Sequence, residues 1–207
     1  MKTILLGTVL SANAFFFWAC GKSDSGNSSG DKKLSDQEYT PLAGGSLTSA
    51  ADSVTGTGSL IFKLPLGEVG SAKNYNLTFS IEEGGSLTLA SHATDKLASG
   101  AEIVLTRSDK SLSLKLKASG EETAAKTLDN IDASKAVTLS IDVHNGETPA
   151  HILVWKDGEK SPSDDNAVFN SDADGATPGN GAGTFWGLSL EKATVTEATP
   201  AEARFED

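Results

Sequence analysis

Three runs of residues alternate apolar and polar side chains, and this two-residue period constrains the fold more than any other feature. They are residues 75–81, 112–116 and 137–143. Because successive side chains of a strand point to opposite faces, each run predicts a strand with one buried and one solvated face. Apart from residues 121–128, no segment has room for more than one helical turn with a suitable pattern. The sequence therefore predicts an all-β fold.

Turn-forming residues punctuate the rest of the chain. Further strands are predicted at 59–64, 85–90, 102–107, 150–156, 167–169 and 185–195, separated by turns such as Glu83-Gly84-Gly85, Asn145-Gly146 and Asp157-Gly158. About nine to twelve antiparallel strands with this spacing form a two-sheet β-sandwich. Because we find no internal repeat and no second linker, residues 44–207 are predicted to be a single sandwich domain.

The first twenty residues read as an export signal. Lys2 precedes an apolar run that ends in Phe17-Trp18-Ala19-Cys20, so a small residue stands directly before a cysteine. This segment resembles the lipobox of bacterial lipoproteins, in which signal peptidase II cuts before a diacylglycerol-modified cysteine. The resemblance implies a signal peptide at 1–19 and acyl chains, such as palmitate, on Cys20. Cleavage after Ala14 is the alternative.

The segment that follows Cys20 predicts a tether. Residues 21–40 are rich in Ser, Gly, Asp and Lys, so we expect 20–43 to be a lipidated cysteine and a disordered linker. In enterobacterial lipoproteins an Asp after the cysteine resembles an inner-membrane retention signal, and this chain has Gly21 there. We therefore expect a lipid-anchored protein of the outer membrane, facing either the periplasm or the cell surface.

Charge and cysteine content exclude several classes of function. The chain has 17 basic and 28 acidic side chains, for a formal net charge of −11. Such a surface repels phosphate backbones and anionic lipid heads, so neither nucleic acid nor an electrostatically bound membrane is an expected partner. Cys20 is the single cysteine. Neither a disulfide nor a catalytic thiol is therefore expected.

The C-terminal part of the chain carries a second resemblance. Trp155, Asp157 and Gly158 end one predicted hairpin, and Gly187, Leu188 and Leu190 lie in a late apolar strand. This order resembles the closing strands of laminin G and concanavalin A-like sandwiches. The resemblance implies a concanavalin A-like jelly roll, with an immunoglobulin-like or another jelly-roll sandwich as the alternative.

The residues do not predict an enzyme. Endoglucanases of the concanavalin-like class resemble one another in a Glu-x-Asp-x-x-Glu strand, which places two carboxylates on one face, and this chain has no such strand. Glu82 and Glu83 are adjacent and so point to opposite faces, whereas Glu121 and Glu122 are expected in a loop. Because a Gly-x-Ser-x-Gly elbow is also missing, a glycoside hydrolase is disfavoured.

The three histidines do not predict a metal site. His92, His144 and His151 form no His-x-x-x-His pair that would place two imidazoles on one metal. His144 and His151 are instead expected to face each other across the Asn145-Gly146 hairpin, as an ordinary cross-strand pair.

An acidic loop suggests calcium. Asn170, Asp172 and Asp174 alternate before Gly175, as in the first half of an EF-hand loop, but Gly181 replaces the bidentate Glu of the second half. We expect that Asn170, Asp172 and Asp174, together with Asp164 or Asp165, hold a calcium ion. The alternative is a solvated acidic turn, because Asp, Asn and Gly form turns without any ion.

Residues 178–183 are rich in glycine and are predicted to form a long flexible loop at one end of the sandwich, beside the candidate ligand site. It lacks the Lys-Ser/Thr pair and helix of a phosphate-binding loop. Asn180, Gly181, Trp186 and Trp155 are instead the predicted ligand-binding residues. Carboxamides bind sugar hydroxyls, glycine lets backbone N–H groups approach a ligand closely, and an indole covers a pyranose face. The set resembles that of legume-type lectins. The prediction is a carbohydrate-binding envelope module; the alternatives are a core position for Trp186 and an adhesive or structural lipoprotein with a protein partner.

Overall fold

The computed structural model describes residue 34 and residues 38–62, 72–118, 121–146, 150–156, 166–172 and 180–202. All of them belong to the compact unit Asp31–Asp207. The predicted signal peptide, Cys20, Asp157, Gly158, Asp164, Asp165 and Asp174 lie outside the described residues. Within these ranges, no helix has the length and apolarity needed to cross a bilayer.

Strands are the main secondary structure of the described residues, which contain no α-helix, as predicted. They are β1 (Tyr39–Pro41), β2 (Ser46–Ala50), β3 (Ser53–Phe62), β4 (Lys73–Ala93), β5 (Ala101–Ser108), β6 (Ser111–Ala118), β7 (Glu121–Glu122), β8 (Lys126–Thr127), β9 (Val137–His144), β10 (His151–Lys156), β11 (Phe169–Asn170) and β12 (Phe185–Glu202). The segment 121–128, where a helix had room, contains β7 and β8, which both pair with β6.

The strand β4 folds back over itself. Tyr75 and Ser91 are sixteen residues apart on this strand, yet their side-chain oxygens are 2.7 Å apart, whereas a straight strand would separate the two residues by about 50 Å. The bend lies near Gly84, where φ is +69°. The predicted strands at 75–81 and 85–90 are thus two arms of one bent strand.

The strand β12 bends beside β4. Its register against β4 changes from Glu191 opposite Ser86 to Ala193 opposite Ile81, and φ of the intervening Lys192 is +51°. Both long strands therefore pass from one layer to the other at the same place. One continuous antiparallel sheet closes in this way into two facing layers.

Each layer contains one arm of β4 and one arm of β12. In the first layer, residues 185–191 of β12 pair with residues 86–93 of β4, which continues through β5 to β6. In the second layer, residues 193–202 of β12 pair with residues 73–81 of β4, which continues through β9 and β10 to β11. β3 runs beside β12 along both layers. The predicted two-sheet sandwich is confirmed.

The core lies between the layers and is built by the alternating runs. Their apolar side chains are at most 8% exposed and share one hydrophobic cluster: Tyr75, Leu77, Phe79, Ile81, Leu112, Leu114, Leu116, Val137, Leu139, Ile141 and Val143. Removal of this apolar surface from water is the main favourable term in folding. The predicted inward face of each run is correct.

The sheet begins before residue 44. β1 lies inside the segment predicted as a tether, and it pairs with β3 through Tyr39 opposite Phe62. Their rings have centroids 5.9 Å apart. Leu34, also inside that segment, is 1% exposed and belongs to the core cluster. These two apolar side chains give the region surface to bury, which the polar composition around them concealed.

Phe79 tests the inward face of β4. Phe79→Ala should lower the free energy of unfolding by about 3–5 kcal/mol, because Phe79 is 1% exposed in the core. Ser80→Ala, on the other face of the same strand, is the control and should change stability by less than about 1 kcal/mol. Urea unfolding measures both. A similar loss for the two variants would contradict this assignment of faces.

Candidate functional site

Polar side chains gather at one end of the sandwich, which we call the polar end. It comprises the end of β4 (Ser91 to Ala93), the paired residues His144 and His151 with Asn145 and Gly146, β11 with Asp172, and residues 180–184 before β12. Strand register brings these together, since His144 pairs with His151 and Ala93 pairs with Phe185. The chain's three histidines lie at this end.

The outward face of the second layer carries a buried carboxylate. Asn74 and Asp142 are partners across β4 and β9, and Asp142 is fully buried although its side chain faces away from the core. The Asn74 amide donates to Asp142 Oδ1 and, at 2.8 Å, to Ser140 Oγ. A buried carboxylate is stable only with such donors, so Asn74 holds Asp142 in place.

The polar contacts continue across the histidine pair. His144 Nε2 is 3.8 Å from Asp142 Oδ2, and the His144 and His151 ring centroids are 5.6 Å apart. His151 Nε2 is 3.2 Å from Asn170 Oδ1 and 3.9 Å from Asp172 Oδ2. Asp172 is 64% exposed. The predicted cross-strand histidine pair is confirmed, and it links the buried Asp142 to the exposed Asp172.

Asn145 ties the glycine-rich loop to the end of β9. Gly181 N–H donates to Asn145 Oδ1 at 2.8 Å, and Asn145 Nδ2 donates back to the Gly181 carbonyl at 3.0 Å. Next to this pair, Gly146 N–H donates to Asn180 Oδ1 at 2.7 Å. Three hydrogen bonds therefore fix Asn180 and Gly181, two of the predicted ligand-binding residues.

The glycines of this loop pack against the end of β4. A Cβ atom on Gly181 would lie 2.5 Å from the His92 carbonyl oxygen, and one on Gly183 would lie 1.8 Å from the Ala93 carbonyl oxygen. Gly183 N–H donates to the His92 carbonyl at 2.7 Å. The sequence predicted that glycine would let backbone N–H groups approach a ligand. In the structure the absent Cβ atoms admit the backbone of β4 instead.

The predicted sugar-stacking role of Trp186 and Trp155 is wrong. Both are fully buried, and Trp186 stacks on Phe62 with centroids 4.0 Å apart and planes 11° apart. A pyranose needs an exposed ring face, which neither indole offers. Trp186 shares its face of β12 with Leu188 and Leu190, both also buried. The alternative, a core position for Trp186, is the correct one.

The described half of the proposed calcium loop has the form of a turn. Asn170 Oδ1 accepts the Asp172 N–H at 3.0 Å and also contacts His151. The other predicted ligands, Asp174 and either Asp164 or Asp165, lie outside the described residues. Across the described ranges, no three His, Cys, Asp or Glu side chains converge on a point where a metal could bind. Asn170 and Asp172 alone do not fit a calcium site.

Sequence reasoning missed Asn74, Asp142, Asn145 and His92. Asp142 and His144 occupy polar positions in the alternation along β9, so the pattern correctly predicts that their side chains point away from the core. Nothing in that pattern indicated that this face is buried at the polar end. Asn145 was read as a turn former, which it is, but its side chain also bonds a loop 36 residues away.

Ser91, on the buried side of the polar end, joins the two layers. Its hydroxyl lies 2.7 Å from Tyr75 Oη and 2.8 Å from His92 Nδ1, and all three residues are fully buried. Burial raises the pKa of Tyr75, and the hydrogen bond with Ser91 offsets only part of this shift. The folded protein therefore keeps this phenol protonated at a pH where the unfolded chain loses the proton.

Stability should fall in alkali because of Tyr75. Its stabilising contribution is complete below the unfolded pKa of about 10 and is lost above it, with a slope of up to about 1.4 kcal/mol per pH unit. Urea unfolding between about pH 8 and 11 measures the loss. Tyr75→Phe should be less stable at neutral pH but should show a shallower alkaline decline. Parallel curves for the two proteins would contradict this assignment.

No protein-family model and no curated protein matches the chain. Solved structures do match its fold. The VIP36 exoplasmic/lumenal domain in its Ca2+/Man3GlcNAc-bound form aligns with a TM-score of 0.53 at 13% identity, over 84% of this chain and 88% of that one. A sialidase aligns with a TM-score of 0.53 at 9% identity, over 84% of this chain but only 18% of its own length. The fold is a jelly-roll β-sandwich.

A carbohydrate-binding module, CBM66 from Bacillus subtilis, aligns with a lower TM-score of 0.46 at 14% identity, over 79% of this chain and 95% of that module. At identities of 9% and 13%, the sialidase and the VIP36 domain show similarity of fold alone, and that fold is the predicted jelly-roll β-sandwich. The polar end of this chain must be interpreted from its own residues.

Proposed function

We propose that the chain is a carbohydrate-binding module whose site is the polar end. The observation that carries this proposal is the convergence there of carboxylate, carboxamide and imidazole groups from β4, β9, β10, β11 and the glycine-rich loop. Sugar hydroxyls both donate and accept hydrogen bonds, so a site for them needs both kinds of group in fixed positions. The ties among Asn145, Asn180, Gly146 and Gly181 supply the fixed positions.

Asp172 and Asn180 are the groups best placed to contact a sugar. Both are exposed at the polar end, and each is oriented by a backbone hydrogen bond, Asp172 through its own N–H and Asn180 through its side-chain oxygen. A carboxylate accepts hydrogen bonds from vicinal hydroxyls, and a carboxamide both donates and accepts. His151, 15% exposed beside Asp172, extends the same surface.

The fold supports this choice of ligand. The VIP36 domain has a similar jelly roll, with a TM-score of 0.53, and its structure is described as bound to Man3GlcNAc. The proposal concerns binding rather than hydrolysis. A glycosidase needs two carboxyl groups that reach the scissile bond. Of the two carboxylates described at the polar end, Asp172 is exposed, but Asp142 is fully buried and bonded to Asn74.

A glycan array with purified protein tests the function. Asp172→Ala and Asn180→Ala should each weaken binding of any glycan hit by about tenfold or more, because each removes hydrogen bonds to a sugar. The melting temperature of Asp172→Ala should change little, since its side chain is exposed, whereas Asn180→Ala also loses the bond from the Gly146 N–H and should melt slightly lower. Lys135→Ala is the control and should bind normally, because Lys135 is 78% exposed and precedes the opposite end of β9.

Two results would contradict the proposal. The wild type could bind no glycan, or the two variants could bind as tightly as Lys135→Ala. In either case a structural or adhesive protein with a protein partner becomes the better interpretation.

Calcium enters the proposal as a condition of this assay. The matched VIP36 structure is described as Ca2+-bound, and Asn170 and Asp172 lie at the polar end of this chain. Array binding and melting temperature are therefore measured in calcium and in chelator. A higher melting temperature in calcium would indicate an ion that binds the folded state. An unchanged one at millimolar calcium would exclude the predicted ion.

We further infer that acyl chains on Cys20 anchor the module to the outer membrane, on its periplasmic or surface side. The support is the Ala19-Cys20 pair behind the apolar run of the first nineteen residues. Two or more acyl chains hold a protein stably on a bilayer, whereas one chain is marginal.

Cys20→Ser tests this anchor. Because lipidation needs the sulfur of Cys20, the variant should remain as an unprocessed precursor or become soluble. Metabolic labelling with a fatty acid and detergent partitioning measure the change, and Lys22→Ser is the control. A Cys20→Ser protein that still partitions into detergent at mature mobility would show that the lipoprotein interpretation is wrong.

A further inference from the structure

His92 combines an unusual backbone conformation with full burial. It has φ of +51°, in the left-handed region that favours glycine, and only Asn and Asp among other residues adopt it readily. Such a conformation persists where its surroundings hold it in place. Lys192 shares it at the bend of β12, but Lys192 is exposed. His92 has it at the polar end, one residue before the end of β4.

The side chain of His92 belongs to a buried chain of hydrogen bonds. Nδ1 contacts Ser91 Oγ at 2.8 Å, and Ser91 Oγ contacts Tyr75 Oη at 2.7 Å. Ser91 pairs with Ala101 in the first layer, whereas Tyr75 pairs with Ile141 in the second. This Tyr75–Ser91–His92 chain therefore connects His92 to both layers of the sandwich.

The backbone of His92 contacts the glycine-rich loop directly. Its carbonyl accepts the Gly183 N–H, and its carbonyl oxygen and Cβ would be 2.5 and 2.7 Å from a Cβ on Gly181. Gly181 and Asn180 in turn bond Asn145 and Gly146. The loop is therefore held between His92 on one side and the end of β9 on the other.

We propose that His92 is a positioning residue, which transmits the rigidity of the Tyr75–Ser91–His92 chain to residues 180–183 and so fixes Asn180 for its ligand. Only the last step of this role, the orientation of Asn180 for a ligand, rests on the proposed function. The hydrogen bonds on the Nδ1 side set the ring, and the left-handed backbone turns the carbonyl toward Gly183. Loss of either should loosen the loop before it affects the rest of the sheet.

Three variants separate these contributions. Ser91→Ala breaks the Tyr75–Ser91–His92 chain of hydrogen bonds and leaves the backbone of His92 unchanged. His92→Ala removes the ring and also disfavours the left-handed conformation. His92→Asn should restore function in part, since Asn tolerates this conformation and brings a polar atom near Ser91. Asn130→Ala is the control, because Asn130 also has a positive φ of +60° but is exposed and lies outside the polar end.

Amide hydrogen exchange of the ligand-free protein gives a readout that needs no glycan. In His92→Ala and Ser91→Ala, the Gly181 and Gly183 amides should exchange on the order of tenfold faster, while core amides such as that of Leu139 should accelerate clearly less, only as far as global stability falls. His92→Asn should stay within about threefold of wild type at both glycines. Glycan affinity should fall in the same order as loop protection is lost.

The outcomes distinguish the two proposals. A wild type that binds no glycan, with loop amides that respond as described, would overturn the proposed function and leave the positioning role supported. Unchanged loop amides in both His92→Ala and Ser91→Ala would overturn the positioning role even if glycan binding persists. Equal acceleration of loop and core amides would also overturn it, because His92 would then act only through global stability.

Discussion

The structure depends on the coincident bends of β4 and β12. At 21 and 18 residues, these strands are too long for one layer of a small sandwich, and a straight pair would leave the inward face of each arm in water. Because both bend where Glu191 and Ala193 change register against β4, neither loses its partner on passing to the other layer. Each strand then covers its own apolar face, as the contact between Tyr75 and Ser91 shows.

The same bends create the polar end. Folding β4 in half brings its first residues, at Lys73 and Asn74, to the end of the sandwich where its last residues, His92 and Ala93, also lie. β9 ends beside the first set through Val143 opposite Lys73, and β12 begins beside the second through Phe185 opposite Ala93. A site on this end can therefore use groups from distant parts of the sequence without a long ordered loop, since strand pairing positions them.

The sequence predicted the local part of this structure and missed the long-range part. One-sided burial repeats every two residues, so it located the strands and inward faces at 75–81, 112–116 and 137–143. Pairing across the bend leaves no local pattern, which is why 75–81 and 85–90 were predicted as separate strands. Trp186 was assigned to a ligand because Asn180 is nearby in sequence, although its alternation with Leu188 and Leu190 already indicated the core. The burial of Asp142 depends on tertiary packing, which the alternation of apolar and polar residues along β9 does not predict.

The glycine-rich loop shows why composition misleads about binding sites. Gly181 and Gly183 suggested a flexible segment open to a ligand. In the structure, backbone atoms of β4 occupy the space that a Cβ atom on either glycine would need, and the two N–H groups donate to Asn145 and His92. Because of these contacts, the loop loses its conformational entropy when the protein folds rather than when a ligand binds. Asn180 and Asp172 are already oriented, so the entropic cost of ordering them on ligand binding is smaller. The affinity of an exposed polar site therefore depends on the contacts inside the protein as much as on the groups that touch the ligand.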